Sequence, residues 1–374
     1  MGTSLLLVSD ARSIHTARWA NAMADRGWTV TLASPRDAGE QAYRPGVEVV
    51  CLVPEGTTAG DSPLAYLKMV PALRKVISRV NPDIVNSHYV TGYALLANAA
   101  VAGRRPHLAS VWGRDVYDIP AASPKAKLLV QGNLRAATAI ASTSRSMAEQ
   151  TRTLCGARQQ IFVTPFGIDL PTFPERGWGE PAEPVRIGTI KTMANKYGID
   201  TLIEAFALVV AAEPGVHLDL YGPGPETEAL QALAARTCPE GSYTFHGSIP
   251  HDQVPSAMRG LDVYVALSRL DSESFGVAIL EASCSGVPVV VSDASGPAEV
   301  TEEGVTGFIV PRDNAERAAE KILDLVRDPQ LRATMGHAGR EHVETQYAWD
   351  HCVDLMLDAY AQTIALHRSR GRKH

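Results

Sequence analysis

The stretch DVYVALSRLDSESFGVAILEASCSGVPVVVS, residues 262–292, reads as strand, polar loop, helix and strand in succession. DVYVALS and VPVVVS are β-branched runs of strand length, and residues 275–285 between them suit a helix. Two strands joined by a crossover helix form a parallel βαβ unit, whose sheet is covered on both faces. Ser272 or Ser274 is expected to cap the helix, and Gly286 with Pro288 to close it. Glu273 then lies just before the helix and Glu281 about two turns inside it.

The same alternation runs outward in both directions. In the first half, strands are expected at SLLLVS, TVTLAS, VEVVCLV, DIVNSHY, HLASVW, AIASTS and IFVTPF, with helices between them such as 63–80 and 145–154. PTFPERGWGEPAEP, residues 171–184, has four prolines and two glycines and reads as an interdomain linker. Beyond it the pattern restarts with VRIGTIK, a helix over 199–212, VHLDLYG, a helix over 226–236, YTFHGS and then the opening stretch, ending at GFIVP. From Asn314 onward the pattern is helical, broken at Pro329 and near Tyr347, and the last helix, AWDHCVDLMLDAYAQTIALH, is expected to cross back to the first domain ahead of a frayed RSRGRKH tail. The expected fold is α/β, two doubly wound Rossmann-like domains: residues 1–176 with the terminal helix 350–374, and residues 177–349. Ligands of open parallel sheets bind at the carboxyl ends of the strands, so a cleft between the domains is expected and functional residues belong just after strands.

A length of 374 residues suits two domains, and 45% hydrophobic with 20% charged residues describes an ordinary globular protein. The formal charge of -6 gives no sign of a nucleic-acid partner, although residues 1–175 carry 18 Lys and Arg against 13 Asp and Glu, and the remainder 17 against 28. That mildly basic half slightly favours an anionic or membrane-surface acceptor. Five scattered cysteines without a CxxC pair indicate neither a disulfide framework nor a zinc site. Neither a signal-peptide core nor an apolar run of membrane-spanning length is present, and Leu6 breaks a myristoylation pattern. A cytoplasmic location follows as the expectation, with peripheral contact at the inner membrane face left open.

The helix start near Phe275 would turn the N–H groups of Phe275, Gly276 and Val277 toward a ligand, an arrangement that suits phosphate. On a continuous helix the α-carbons of Glu273 and Glu281 would stand roughly 12 Å apart. A glycosidase pair needs about 5 to 9.5 Å between carboxyl groups. Two carboxylates gripping the ends of an elongated ligand with phosphate between them, such as a nucleotide sugar, fit the spacing better. The plainer alternative for each is a solvated helix face.

Glu273-Ser-Phe-Gly-Val-Ala-Ile-Leu-Glu281 followed by EASCSGVPVVVSDASGPAEV resembles the E-x7-E signature and following segment of the retaining family 4 glycosyltransferases. The likeness extends through HTARWANAMADRGWTVTLAS, VWGRDVY, VTPFGID, KYGIDTLIEAFALV, YGPGPE and EEGVTGFIVPRDN. It implies a GT-B fold and transfer of a hexose or N-acetylhexosamine, with retention, from a nucleotide-diphosphate sugar, expected to be a UDP-sugar, to a sugar, lipid-linked or small-molecule hydroxyl acceptor. By the same resemblance Glu281 would hold the ribose, Glu273 the donor hexose, and the amides of Phe275, Gly276 and Val277 would lie near the diphosphate.

The leaving diphosphate needs positive charge. No D-x-D metal motif is present, so neither metal nor cofactor is expected, and GTIKTMANKYGID offers Lys191 and Lys196 just after a strand. Lys196 matches the lysine of the family's G-R-L-x-x-x-K-G, and Lys191 is the expected substitute for its arginine, replaced here by Thr189, against the plainer reading of both as loop lysines on a solvated edge. Gly222 and Gly224 in YGPGPE match a turn beside the nucleotide, and Glu299 in GPAEV matches a position near it; for Glu299 a helix-start acid is the equal alternative. YGPGPE fails as a dinucleotide fingerprint because G-x-G-x-x-G is incomplete. Thr301, Glu302 and Glu303 read as surface.

In the first domain His15 and His88 sit where cleft residues belong, and Asp115 in WGRDVY matches the family's HGxD segment, with Trp112 in place of its histidine. His88 and Asp115 are catalytic candidates; His15, Trp112, Arg114 and Arg145 are candidates for acceptor contact, against ordinary structural or surface roles. Two rivals stand beside the transferase: an epimerase or phosphorylase of the same fold, and a non-catalytic nucleotide-sugar-binding protein.

Overall fold

The computed structural model describes residues 2–53, 62–179 and 183–371. Glu180, Pro181 and Ala182 of the Pro-rich stretch and Arg372, Lys373 and His374 of the tail lie outside the described residues. The chain forms two compact units, one running to Pro165 and resuming at Cys352, the other spanning Phe166–His351.

The first unit contains β1 (Ser4–Val8), β2 (Thr29–Ser34), β3 (Val47–Cys51), β4 (Ile84–His88), β5 (His107–Val111), β6 (Ala139–Ser142) and β7 (Ile161–Val163). The second contains β8 (Val185–Ile190), β9 (Val216–Tyr221), β10 (Tyr243–Gly247), β11 (Val263–Ala266), β12 (Val289–Ser292) and β13 (Gly307–Val310). Their orders are β3-β2-β1-β4-β5-β6-β7 and β10-β9-β8-β11-β12-β13. Neighbouring strands pair in parallel, as in Leu6 opposite both Thr31 and Val85 and Tyr264 opposite both Gly188 and Val289. Successive strands are added on opposite sides of the point between β1 and β4 in one sheet and between β8 and β11 in the other. These switch points are where an open parallel sheet offers a crevice to a ligand.

Burial on both sheet faces explains the nearly continuous apolar strands: Leu5, Leu6, Leu7 and Val8 are all buried, as are Val289, Val290 and Val291. In the second unit Ile187, Leu218, Leu220 and Val265 pack with Phe206 of the helix Ile199–Ala212 and Ile322 of the helix Ala315–Arg327. The helix Trp349–Gly371 seals the first unit from Cys352 onward. Its buried Tyr360 packs 5.5 Å from the Trp28 ring and donates to Asn86 Oδ1 at 3.0 Å. The expected return of the last helix is therefore present, and it continues through Gly371, so the RSRG part of the tail is helical rather than frayed.

Two other expectations change. Residues 63–80 form two helices, Pro63–Lys68 and Val70–Val80, because Pro71 has no N–H with which to continue the first. The units divide at Pro165/Phe166 instead of at 176/177, and the described part of the Pro-rich stretch belongs with the second unit. Ile168 N–H donates to Tyr347 at 2.7 Å, Arg176 N–H to Ser285 at 2.9 Å, and the Arg340 guanidinium to the Phe173 carbonyl at 2.6 Å. Those bonds fasten a segment whose composition alone reads as a free linker.

Candidate active site

At the switch point of the second sheet, Lys191 follows β8 and Glu273 lies in the loop after β11. Their side chains meet at 2.6 Å between Nζ and Oε1, with only 13% and 14% of them exposed. Burial works against the lysine's charge, but the nearby Glu273 carboxylate, with help from the Tyr264 and Tyr197 phenols, more than offsets it and holds the ammonium above lysine's ordinary value. Lys196 sits in a one-turn 3-10 helix, Asn195–Tyr197, closed by Gly198 at φ +62°. A Cβ on Gly198 would lie 2.1 Å from the Leu267 carbonyl oxygen. The Tyr197 ring lies beneath both ammonium groups, 5.0 Å from Lys191 Nζ and 4.5 Å from Lys196 Nζ.

Both loops are braced by arginines that the sequence reading passes over. Arg269 donates to Asp200 at 2.8 Å, to Thr201 at 3.1 Å and to the Asn195 carbonyl at 2.8 Å, and it pairs with Asp313. Arg312 bridges Asp271 at 2.7 Å and Asp293 at 3.1 Å. Asp271 in turn accepts from the Ser295 N–H and hydroxyl at 2.9 and 2.7 Å. Gly296 completes the brace, since a Cβ there would lie 2.1 Å from the Glu273 carbonyl oxygen. The position of Arg269 just after a strand was the available signal; its partners lie far off in sequence.

The helix carrying Glu281 runs Val277–Cys284, starting later than expected. Gly276, at φ +91°, is its N-cap, and neither Ser272 nor Ser274 supplies the cap. Glu281 is thus its fifth residue rather than two turns inside, so the 12 Å estimate from a continuous helix does not describe this loop-to-helix geometry. The exit follows the expected glycine: Val287 N–H bonds to Ala282 and Gly286 N–H to Ser283, a Schellman motif. Phe275 turns its ring into the core against Phe166 and Tyr347 at 6.1 and 5.7 Å. By position the first N–H groups of the helix, including that of Val277, have no partner within it.

Gly222 and Gly224 have a local reason to be glycine. A Cβ on Gly222 would lie 1.9 Å from the Lys191 carbonyl oxygen, and one on Gly224 2.2 Å from that of Met193. Met193 N–H donates to Pro223, and Glu226 N–H to Met193, closing the loops after β8 and β9 on each other. These glycines shape the loop that carries Lys191. Glu299 ends the short helix Ser295–Glu299, which removes the helix-start reading, and Thr301 is buried rather than surface.

In the first unit a cavity of about 910 Å³ opens at the other switch point, lined by residues that follow β1, β4 and β5. His88, the last residue of β4, is 1% exposed, and its Nε2 lies 3.1 Å from Asn86 Oδ1. Asn86 Nδ2 donates to Leu108 and Ser110, which fixes Oδ1 as the acceptor facing the histidine. Burial, then the charge of nearby His15, lowers His88 to about 3, so it is neutral with its proton on Nε2. Trp112 packs on it with ring centroids 4.6 Å apart and meets His15 at 5.9 Å.

Asp115 turns its carboxylate to the backbone. It is fully buried, accepting from the N–H groups of Val90, Trp112 and Gly113 at 2.9, 3.0 and 2.9 Å, and burial pushes it up to about 6 against those bonds. It joins the loops after β4 and β5, a positioning role by its geometry. Arg114 is exposed on the cavity wall, 3.4 Å from Asp118. Arg145 begins the helix Arg145–Cys155 and does not line the cavity. Arg36, Tyr66, Tyr89, Tyr93 and Lys125 do line it, with no local motif in the sequence to single them out.

Residues 175–342 match the family described as Glycosyl transferases group 1, and residues 4–144 the one described as Glycosyl transferase 4-like. The chain is a family 4 glycosyltransferase. This transferase is 29% identical over 302 residues to the GDP-mannose-dependent alpha-(1-6)-phosphatidylinositol monomannoside mannosyltransferase of Mycobacterium tuberculosis, across 76% of this chain and 77% of that one. It is 27% identical over 318 residues to the D-inositol 3-phosphate glycosyltransferase of Streptomyces avermitilis, across 78% and 68%. Among solved structures, sucrose-phosphate synthase from Thermosynechococcus elongatus matches with a TM-score of 0.82 at 20% identity, over 98% of this chain and 100% of that one. Anabaena HepE in complex with UDP-glucose matches at 0.76 and 20% identity, over 97% and 100%. The transferase thus has the GT-B fold.

Among the described residues no helix is long and apolar enough to cross a membrane, and no group of three His, Cys, Asp or Glu side chains is placed to hold a metal ion.

Proposed function

We propose that this glycosyltransferase moves a hexose or N-acetylhexosamine from a nucleoside-diphosphate sugar to a hydroxyl acceptor with retention at the anomeric carbon and without a metal. The observation that supports this reading best is the buried Lys191–Glu273 pair at the β8/β11 switch point, beside Lys196 and the start of the helix that carries Glu281. Glu273, held by Lys191, meets the donor hexose, and Glu281 the ribose. Lys196 and the amides from Phe275 to Val277 receive the diphosphate, where charge builds as the glycosidic bond breaks. The acceptor oxygen bonds to the anomeric carbon from the side the phosphate leaves, and its proton passes to the departing phosphate oxygen.

The GDP-mannose named for the mycobacterial relative weighs against the UDP expectation, and we place a GDP-sugar first. A cytoplasmic location, with peripheral contact at the membrane, belongs to the same proposal.

The test is a thermal-shift panel of GDP, UDP and ADP with their sugars. A ligand at a hundred times its Kd stabilises the native state by about 2.7 kcal/mol. Proton spectroscopy of a transfer product reads the anomeric configuration. Failure of every nucleotide to raise Tm would sink the proposal, an inverted product would remove retention, and an isomerised sugar from donor alone would favour the epimerase.

A further inference from the structure

The cavity beside β1 and β4 has a chemical character of its own. Tyr66, Tyr89, Tyr93, Trp112, Ile119 and Leu129 give its wall a largely aromatic and apolar side. Tyr66 and Tyr93 meet edge to face at 5.3 Å, and Gly92 lies under the Tyr66 ring so closely that a Cβ would come within 2.4 Å of it. Such a wall suits an apolar body. Arg36, Arg114 and Lys125 also line it, against one carboxylate, Asp10, which Arg36 holds at 3.0 Å. Lys125 has no acidic partner among the described residues, and Arg114 and Asp118 are both well exposed at 3.4 Å. That leaves positive charge in excess.

One buried polar atom of a lining residue is unsatisfied. His88 gives its Nε2 proton to Asn86, leaving Nδ1 a bare lone pair without a hydrogen-bond partner among the described residues. An unpartnered buried acceptor is costly unless a donor arrives. A hydroxyl group is such a donor, and Nε2 cannot reverse the arrangement while Asn86 Oδ1 faces it.

We propose that the cavity takes an acceptor of one class, an alcohol with an apolar body and an anionic group, whose hydroxyl donates to His88 Nδ1 and whose anion meets Arg114 and Lys125. The inference rests on the transferase reading for the word acceptor, but the binding chemistry can be measured without turnover. Calorimetric titration of the full chain with a hydroxynaphthoate, the matching naphthoate, the matching naphthol and myo-inositol tests it. The hydroxynaphthoate is expected to bind about tenfold more tightly than the naphthol, the worth of one charge-assisted hydrogen bond, and myo-inositol more weakly than both. The double substitution R114E/K125E, at exposed positions, should erase the advantage of the carboxylate and leave the naphthol unchanged. His88→Phe keeps a ring and removes the lone pair, and should erase the difference between hydroxynaphthoate and naphthoate.

Equal binding of hydroxynaphthoate and naphthol by the wild type, tighter binding of myo-inositol, no binding of any naphthyl ligand, or indifference to charge reversal would each overturn the proposal. A nucleotide-induced rise in Tm in the same preparation separates that failure from failure of the transferase reading.

Discussion

The two switch points use opposite electrostatics. Between β8 and β11 a lysine and a glutamate face each other in a nearly buried ion pair, and two arginines brace the loops around them. Between β1 and β4 the central titratable group is a histidine held neutral by burial, against a tryptophan and a ring of tyrosines. The difference teaches how a repeated fold divides a transfer reaction. On the proposed reading the second unit keeps charge in place before a charged donor arrives, so little reorganisation is left for the reaction itself. The first keeps charge away from its centre and confines it to the rim.

Breaking the charged side should have the largest effect. Lys191→Ala leaves Glu273 buried without its partner, and stability should fall by about 3–5 kcal/mol. Turnover should fall at the same time by about a hundredfold or more. The double variant Lys191→Ala/Glu273→Ala should recover most of the denaturant midpoint but none of the turnover. A single variant that unfolds at the wild-type midpoint would show that the pair is not sequestered.

Acid challenges the neutral side. His88 and His107 are both held near 3, below the ordinary value of 6.5, chiefly by burial. Their contribution to stability is complete above the unfolded value and is lost as pH falls from there toward the folded one. Near pH 5 the loss should be about 2 kcal/mol for each. A urea midpoint constant from neutral pH down to about 5 would contradict the neutral assignment. Smaller is Gly222→Ala, which drives a Cβ into the Lys191 carbonyl and should cost about 2–3 kcal/mol and disturb the charged side alone, seen as weaker nucleotide binding with naphthoate binding unchanged. Smallest is Arg145→Ala, outside the cavity, expected within about 0.5 kcal/mol of wild type in stability with acceptor KM unaltered; a large rise in KM would enlarge the acceptor site beyond the cavity.

Much of this was readable in the chain. The restart of the β-branched pattern at VRIGTIK announces a second sheet, and the rule that ligands meet the ends of strands singles out Lys191, Glu273, His88 and Trp112. What escaped is what depends on distant partners. Nothing local says that Lys191 bonds a carboxylate far along the chain, or that Asp115 spends its oxygens on three backbone N–H groups. Tyr66 and Tyr93 look like core aromatics of unrelated helices until those helices are folded over β4. The serine caps proposed for the Glu281 helix lost to Gly276 because the loop must turn through a left-handed residue, which no propensity for serine can supply.

The terminal helix has a consequence for synthesis. Phe166–His351 is contiguous, and its unit can close as soon as it clears the ribosome, whereas the strands of the first sheet, all made before it, wait for Cys352 and Tyr360 to cover them. The stretch made first is therefore the one completed last. During that interval Trp28 and Asn86 lack their covering helix, which leaves apolar surface of the nascent first unit open to association.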